Sequence, residues 1–142
     1  MGELFDRVLL PVASRDDART SARALRPYVS ERVVAVHVVE KAGGAVDKAS
    51  VEQREDEAAR MFEIVHDELD DVADVQTRIG YGTDVAETLF ATAADVDATA
   101  IVFTPRGGSR WIRLLTGDVA LDLVTETDRP VIVLPDSDGS ER

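Results

Sequence analysis

With 142 residues, 44% of them apolar and 31% charged, the chain is sized for a single core and is too polar for a membrane protein. Cysteine is absent, which removes thiolate catalysis, redox chemistry and Cys-based zinc sites and leaves stability to burial alone. Acidic residues outnumber basic ones 28 to 16, and the resulting formal charge of −12 argues against the broad attraction to phosphates that nonspecific nucleic-acid binding needs.

The opening MGELFDRVLLPV places acids where an export signal needs a basic segment, so no such signal is expected. Its Arg7 to Val12 stretch is short, aliphatic and nearly continuous in apolarity, as a strand buried on both faces should be. Ala18, Ala22, Leu25 and Val29 then recur on one helical face, with Ser14 and Asp16 as candidate N-caps. Arg32 to Val39 reads as a second buried strand; His37 interrupts it, and the run is far shorter than the ~20 residues of a membrane span. A second helix follows from the spacing of Ala58, Phe62, Val65 and Leu69, with Ser50 and Gln53 as a capping box. Val75 to Tyr81 alternates, with polar Gln76 and Arg78 between apolar positions, which predicts an edge strand. The third helix should start near Asp84, capped with help from Glu87, and bury Val85, Leu89 and Phe90. Thr99 to Thr104 is a fourth strand, Asp118 to Glu126 a fourth helix with Val119 and Leu123 on one side, and Pro130 to Leu134 a closing strand. Strands alternating with helices imply right-handed crossovers and a mainly parallel sheet covered on both faces. The expected unit is one domain over residues 1–136 with a disordered tail over 137–142, soluble and cytoplasmic.

Ligands in such sheets bind outside the carboxyl ends of the strands, where the strand order reverses. Two strand ends are chemically distinctive: Pro11 to Ser14, and the connection from Thr104 to Gly117. The second holds Gly107 and Gly108, suited to close backbone approach, and Arg106, Arg110 and Arg113 with no acid, a local +3 in a chain of −12. That contrast suits an anion site, and equally suits arginines that pair with the protein's own carboxylates or line a subunit interface. Fourteen of the sixteen bases are arginine, and Asp outnumbers Glu 17 to 11, a bias expected of adaptation to high salt or of a GC-rich genome. A densely acidic surface is relieved by salt screening, so a stability independent of salt would count against the first origin.

At the second connection the chain resembles the universal stress protein family. The family's signature after the fourth strand is G-x2-G-x9-G-[ST], then a helix and a strand opening P-V-x-V. Here it reads Thr104-x2-Gly107-x9-Gly117-Asp118-Val119, and the last strand opens Pro130, Val131, Ile132, Val133. The R-V-L-L-P-V first strand, the A-V-H-V-V second strand and the Gly80 to Val85 turn extend the likeness over residues 5 to 135. The resemblance implies a five-stranded sheet of order 3-2-1-4-5 with helices on both faces, of the adenine-nucleotide alpha-hydrolase-like kind, and a stress-response binding module rather than an enzyme. It implies a homodimer, often through the last strand, here Val131, Ile132, Val133 and Leu134.

In the ATP-binding branch, an Asp just after the first strand engages the nucleotide, a Val in the second strand approaches adenine, and the Gly-rich loop holds the phosphates. Carried onto this chain, the Asp position is Ala13, the Val is Val38, the two glycines are Thr104 and Gly107, and the G-[ST] pair is Gly117 and Asp118, with Val12, Arg106, Gly108 and Val119 beside them as further candidate site residues. Three depart from the pattern: Ala13 removes a polar anchor, Thr104 adds a branched side chain where the family uses Gly, and Asp118 stands where it uses Ser or Thr. A carboxylate at a helix N-terminus satisfies the amides a phosphate would take. One like charge about 4 Å away costs on the order of 4 kcal/mol at an effective dielectric of about 20. Weak or lost ATP binding is therefore expected, with no cofactor; ATP with Mg²⁺ is the alternative, as the ligand of a slowly hydrolysing switch.

Other constellations carry less. With two histidines, a His-rich metal site or a Ser-His-Asp triad lacks material. His37 reads as a buried, hydrogen-bonded structural residue, and His66 as part of an acidic solvated face. Asp16 and Asp17 sit like the acidic pair of receiver domains, but no phosphoacceptor Asp follows the third strand and no Lys the fifth. A flavodoxin-type phosphate loop is excluded by Pro11, Val12 and Ala13, and Trp111 reads as a packing or interface anchor.

Overall fold

The computed structural model describes residues 3–40, 48–104 and 128–135. In chain order the elements are β1 (Arg7–Pro11), α1 (Arg15–Leu25), β2 (Arg32–Glu40), α2 (Lys48–Leu69), β3 (Asp74–Gly82), α3 (Val85–Asp95), β4 (Ala100–Phe103) and β5 (Val131–Val133). The strands form one sheet of order β3-β2-β1-β4-β5, and every neighbouring pair is parallel. The expected fourth helix and the tail lie outside the described residues, as do Arg106, Gly107, Gly108, Arg110, Trp111, Arg113, Gly117, Asp118 and Val119.

Strand alternation divides the core into two layers. Val8, Leu10, Val33, Ala35 and Val102 face α1 and α2, where they meet Ala18, Ala22, Leu25, Ala58, Val65 and Leu69. Leu9, Val34, Val36, Val38, Ile101 and Phe103 face the other way, onto Val85, Leu89 and Ala93 of α3. Both faces of the central strands are buried, which is why their sequences show no polar alternation. β3, at the edge, keeps Gln76 and Arg78 exposed, as its pattern predicts.

Helix ends follow their local chemistry, with two departures from the sequence reading at α1 and one at α2. Ser14 is the N-cap of α1, its Oγ accepting from the Asp17 N–H at 3.0 Å, while Asp16 lies inside the first turn. The helix stops at Leu25, because Pro27 has no N–H to continue the ladder. Val29 therefore sits in the following turn, still buried. In α2, Ser50 is already inside the helix, so the Ser50 and Gln53 pattern is not its cap. Asp84 caps α3 as read, accepting from the Glu87 N–H at 3.1 Å, and Phe90 is partly buried. Where β3 enters α3 the Thr88 side chain packs over the two glycines: a Cβ on Gly82 would lie 2.3 Å from Thr88 Oγ1, and one on Gly80 2.9 Å from Thr88 Cγ2. Among the described residues no helix is long and apolar enough to cross a membrane.

Candidate functional site

The chain builds the sheet outward from β1 to β2 and β3, then crosses to the other side for β4 and β5. The reversal lies between β1 and β4, and the carboxyl ends of these two strands are where a crevice opens in such a sheet. Of the predicted site residues, the structure places Val12 and Ala13 at the end of β1, Thr104 at the end of β4, and Val38 one strand further, in β2. Val12, Val38 and Thr104 are buried. The other six predicted positions fall outside the described residues.

The turn from β1 into α1 is closed by its own side chains. The carboxylate of Asp17, itself 0% exposed, accepts the Ala13 backbone N–H at 2.7 Å with Oδ2 and the Ser21 hydroxyl at 3.1 Å with Oδ1. Ser14 takes the Asp17 N–H through its side chain, and its carbonyl takes the Ala18 N–H at 2.9 Å. Free amides at a strand-to-helix turn are the natural donors for an anion, and here those of Ala13, Asp17 and Ala18 are already engaged. The sequence reading missed Asp17 in this role. The Ser14-x-x-Asp17 and Asp17-x3-Ser21 spacings carry the signal, since both put side chains within reach of the first helical turn.

The next strand end is anchored by His37, which is 9% exposed. Its Nδ1 lies 2.9 Å from the Val12 carbonyl, an acceptor only, so this nitrogen carries the proton and donates. That is the structural role its sequence context predicts. Arg15 closes the rim with a two-pronged pair to Glu57 of α2, at 2.7 and 2.8 Å. Arg15's hydrogen bonds hold the Glu57 carboxyl below its ordinary value, its charge and those of Arg60 and His37 acting the same way while burial opposes; the Arg15 guanidinium is raised in turn. Exposed pairs of this kind stabilise weakly, so their effect is to fix where the side chains lie. His66 is exposed and bonds Asp70 at 2.9 Å, on the acidic face expected of it.

At the far wall Thr104 is 1% exposed, and its Oγ1 has no hydrogen-bond partner among the described residues. A buried hydroxyl left unpaired costs about 1–3 kcal/mol. No group of His, Asp or Glu side chains among the described residues is arranged to hold a metal ion.

A model of the universal stress protein family matches residues 4–135. A search of curated proteins finds no match. Among solved structures, a universal stress protein from Archaeoglobus fulgidus superposes with a TM-score of 0.62 at 21% identity, covering 92% of this chain and 93% of that one. A universal stress protein family member from Burkholderia pseudomallei gives 0.66 at 20% identity, covering 93% and 97%. One from Arabidopsis thaliana, with AMP bound, gives 0.60 at 15% identity, covering 92% of each chain.

Proposed function

Because the chain belongs to the universal stress protein family, we propose that it is a stress-response binding and interaction module, not an enzyme, whose ATP affinity is weak or lost. The observation that carries this reading is the closed β1–α1 turn. Its Ala13, Asp17 and Ala18 amides are engaged by Asp17 and Ser14, and a buried carboxylate stands beside the position where the ATP-binding branch places its nucleotide-engaging Asp. Ala13 supplies no polar group there, and a buried Thr104 stands at the end of β4 where the family uses glycine. Equilibrium dialysis with Mg-ATP is expected to show no micromolar binding, and micromolar binding would overturn the proposal. Asp118→Ser combined with Ala13→Asp and Thr104→Gly is expected to raise the affinity at least about tenfold, the effect of one restored charge-assisted contact.

The second reading is an ATP-binding, slowly hydrolysing switch, and the unpaired Thr104 hydroxyl favours it, because a ligand group in the crevice would supply the missing partner. The AMP-bound relative lends it family precedent. Adenine absorbance near 260 nm in the purified protein would select it.

We also propose that two copies pair through Val131, Ile132, Val133 and Leu134. β5 is an edge strand, and Val133 leaves 48% of its surface exposed there. Sedimentation should give a dimer for the native chain and a monomer for Val133→Lys; a native monomer would sink this assignment.

A further inference from the structure

At the opposite edge of the sheet, β3 runs for nine residues in unbroken register with β2, from Arg32↔Asp74 to Glu40↔Gly82. Asp74 N–H bonds the Glu31 carbonyl at 2.8 Å, so by strand alternation the even-numbered residues Asp74 to Gly82 turn their backbone groups toward β2. The N–H and C=O groups of Val75, Thr77, Ile79 and Tyr81 therefore point outward, away from the sheet. Edges are ordinarily blunted by charged side chains, proline, bulges or shortness; β3 carries charge at Asp74 and Arg78 but has no proline and keeps an unbroken nine-residue register. β5, at the other edge, is only three residues long.

Two grooves flank this edge, one on each face of the sheet. Toward α2, a groove of about 380 Å³ is lined by Ala59, Phe62, Thr77 and Ile79, with Glu55 at its border. Toward α3, a groove of about 460 Å³ runs past Gly80, Gly82, Thr88 and Ala91 and is bordered by Asp84, Glu87 and Asp95. Arg78 lines both, and its guanidinium pairs with Asp95 at 3.4 Å. Glu55 accepts the Tyr81 hydroxyl. The two linings thus hold four carboxylates against one guanidinium.

A strand laid along β3 would send successive side chains to opposite faces, one set into the α2 groove and the other into the α3 groove. We infer that the outer edge of β3 docks an extended segment of a partner protein in which basic residues alternate with apolar ones. Main-chain bonds to Val75, Thr77 and Ile79 would hold it. Its apolar side chains would enter the groove beside Phe62 and Ile79, and its basic ones would meet Asp84, Glu87 and Asp95. A second copy of this chain is a poor occupant, since pairing β3 with β3 would bring the acidic linings of the two copies together. The inference gives the interaction role proposed above a location and a partner chemistry. β3 lies two strands from β1, about 10 Å away, so this site and the nucleotide crevice can fail independently.

The probe is an eight-residue peptide of alternating Lys and Val, titrated into ¹⁵N-labelled full-length protein. Slowed amide exchange is expected at Val75, Thr77 and Ile79, with affinity falling as salt rises. Thr77→Pro removes an outward donor without touching the β2 ladder, and Glu87→Lys reverses one lining charge. Each is expected to weaken binding at least about tenfold while the circular dichroism spectrum is kept. A peptide of the same composition in two blocks, four Lys then four Val, should bind more weakly. Equal binding of the block peptide, protection elsewhere on the protein, or no binding at all would overturn the inference. Self-association lost in Thr77→Pro would overturn it too, by making a second copy the occupant.

Discussion

Phe103→Ala is expected to remove about 3–5 kcal/mol of folding stability. Phe103 is the largest of the fully buried side chains, at 1% exposure. It stands in β4, which lies between β1 and β5 and is buried at all four positions. Its side chain fills the layer between sheet and α3 with Leu9, Val36, Val38, Leu89 and Ile101, neighbours fixed by strand register or helix ladder that cannot collapse into the space the ring leaves. Domains of this size are stable by only about 5–15 kcal/mol, so one such cavity forfeits a large share. Urea unfolding should show a lower midpoint at unchanged slope, and Phe103→Leu should fall much less. A loss below about 1 kcal/mol for the alanine variant would mean that α3 is not packed on the sheet as described. The backbone matters separately: the Phe103 carbonyl accepts the Leu134 N–H at 2.8 Å, so the side-chain variants test packing with the strand pairing intact.

How much of this was legible in the sequence depends on the range of the interaction. Val33 to Val39 and Ala100 to Phe103 announce themselves because burial on both faces forbids polar alternation, and β3 announces its edge position by permitting it. The order of the strands has no such local signature and is implied only by the family resemblance; the pairing of β1 with β2 and β4, of β2 with β3 and of β4 with β5 establishes it. Local motifs mislead where their context is hidden. Ser50 and Gln53 have capping spacing, yet the helix begins upstream, and the periodicity through Val29 overlooks that Pro27 cannot continue a ladder. The candidate site was half legible. Val12, Ala13, Val38 and Thr104 stand at the ends or flanks of the expected strands. That Asp17 occupies the Ala13 amide was not read, because a sequence displays side chains and leaves backbone donors and their partners unwritten.

The two edges of the sheet divide the surface by chemistry. At β5 a short apolar strand exposes Val133, suited to a self-complementary contact. At β3 a long polar strand lies between acidic linings, which a like-charged copy would meet unfavourably. Self-pairing and partner docking, as proposed, would use opposite edges of the sheet.

Substitutions at Asp17 are expected to lower stability and to raise anion affinity at the crevice between β1 and β4. Removing its carboxylate in Asp17→Ala withdraws the acceptor from the Ala13 N–H and the Ser21 hydroxyl. Bonds to a charged acceptor contribute about 1.5–3 kcal/mol, and the groups left behind add an unpaired cost, so a loss of about 2–4 kcal/mol is expected. Asp17→Asn keeps one acceptor oxygen for Ala13 and should lose less, with the Ser21 hydroxyl turning to accept from the new amide. Both variants take a negative charge away from the end of β1, and Asp17→Ala also frees a backbone donor there. Affinity for Mg-ATP should therefore rise in both, by about tenfold or more in whichever variant remains folded at the temperature of measurement. If stability falls while nucleotide affinity stays flat, Asp17 is a structural clamp alone, and the weakness of the site must be sought at Thr104 and Asp118. If both move together as expected, the residue that holds the β1–α1 turn closed is the one that excludes the anion.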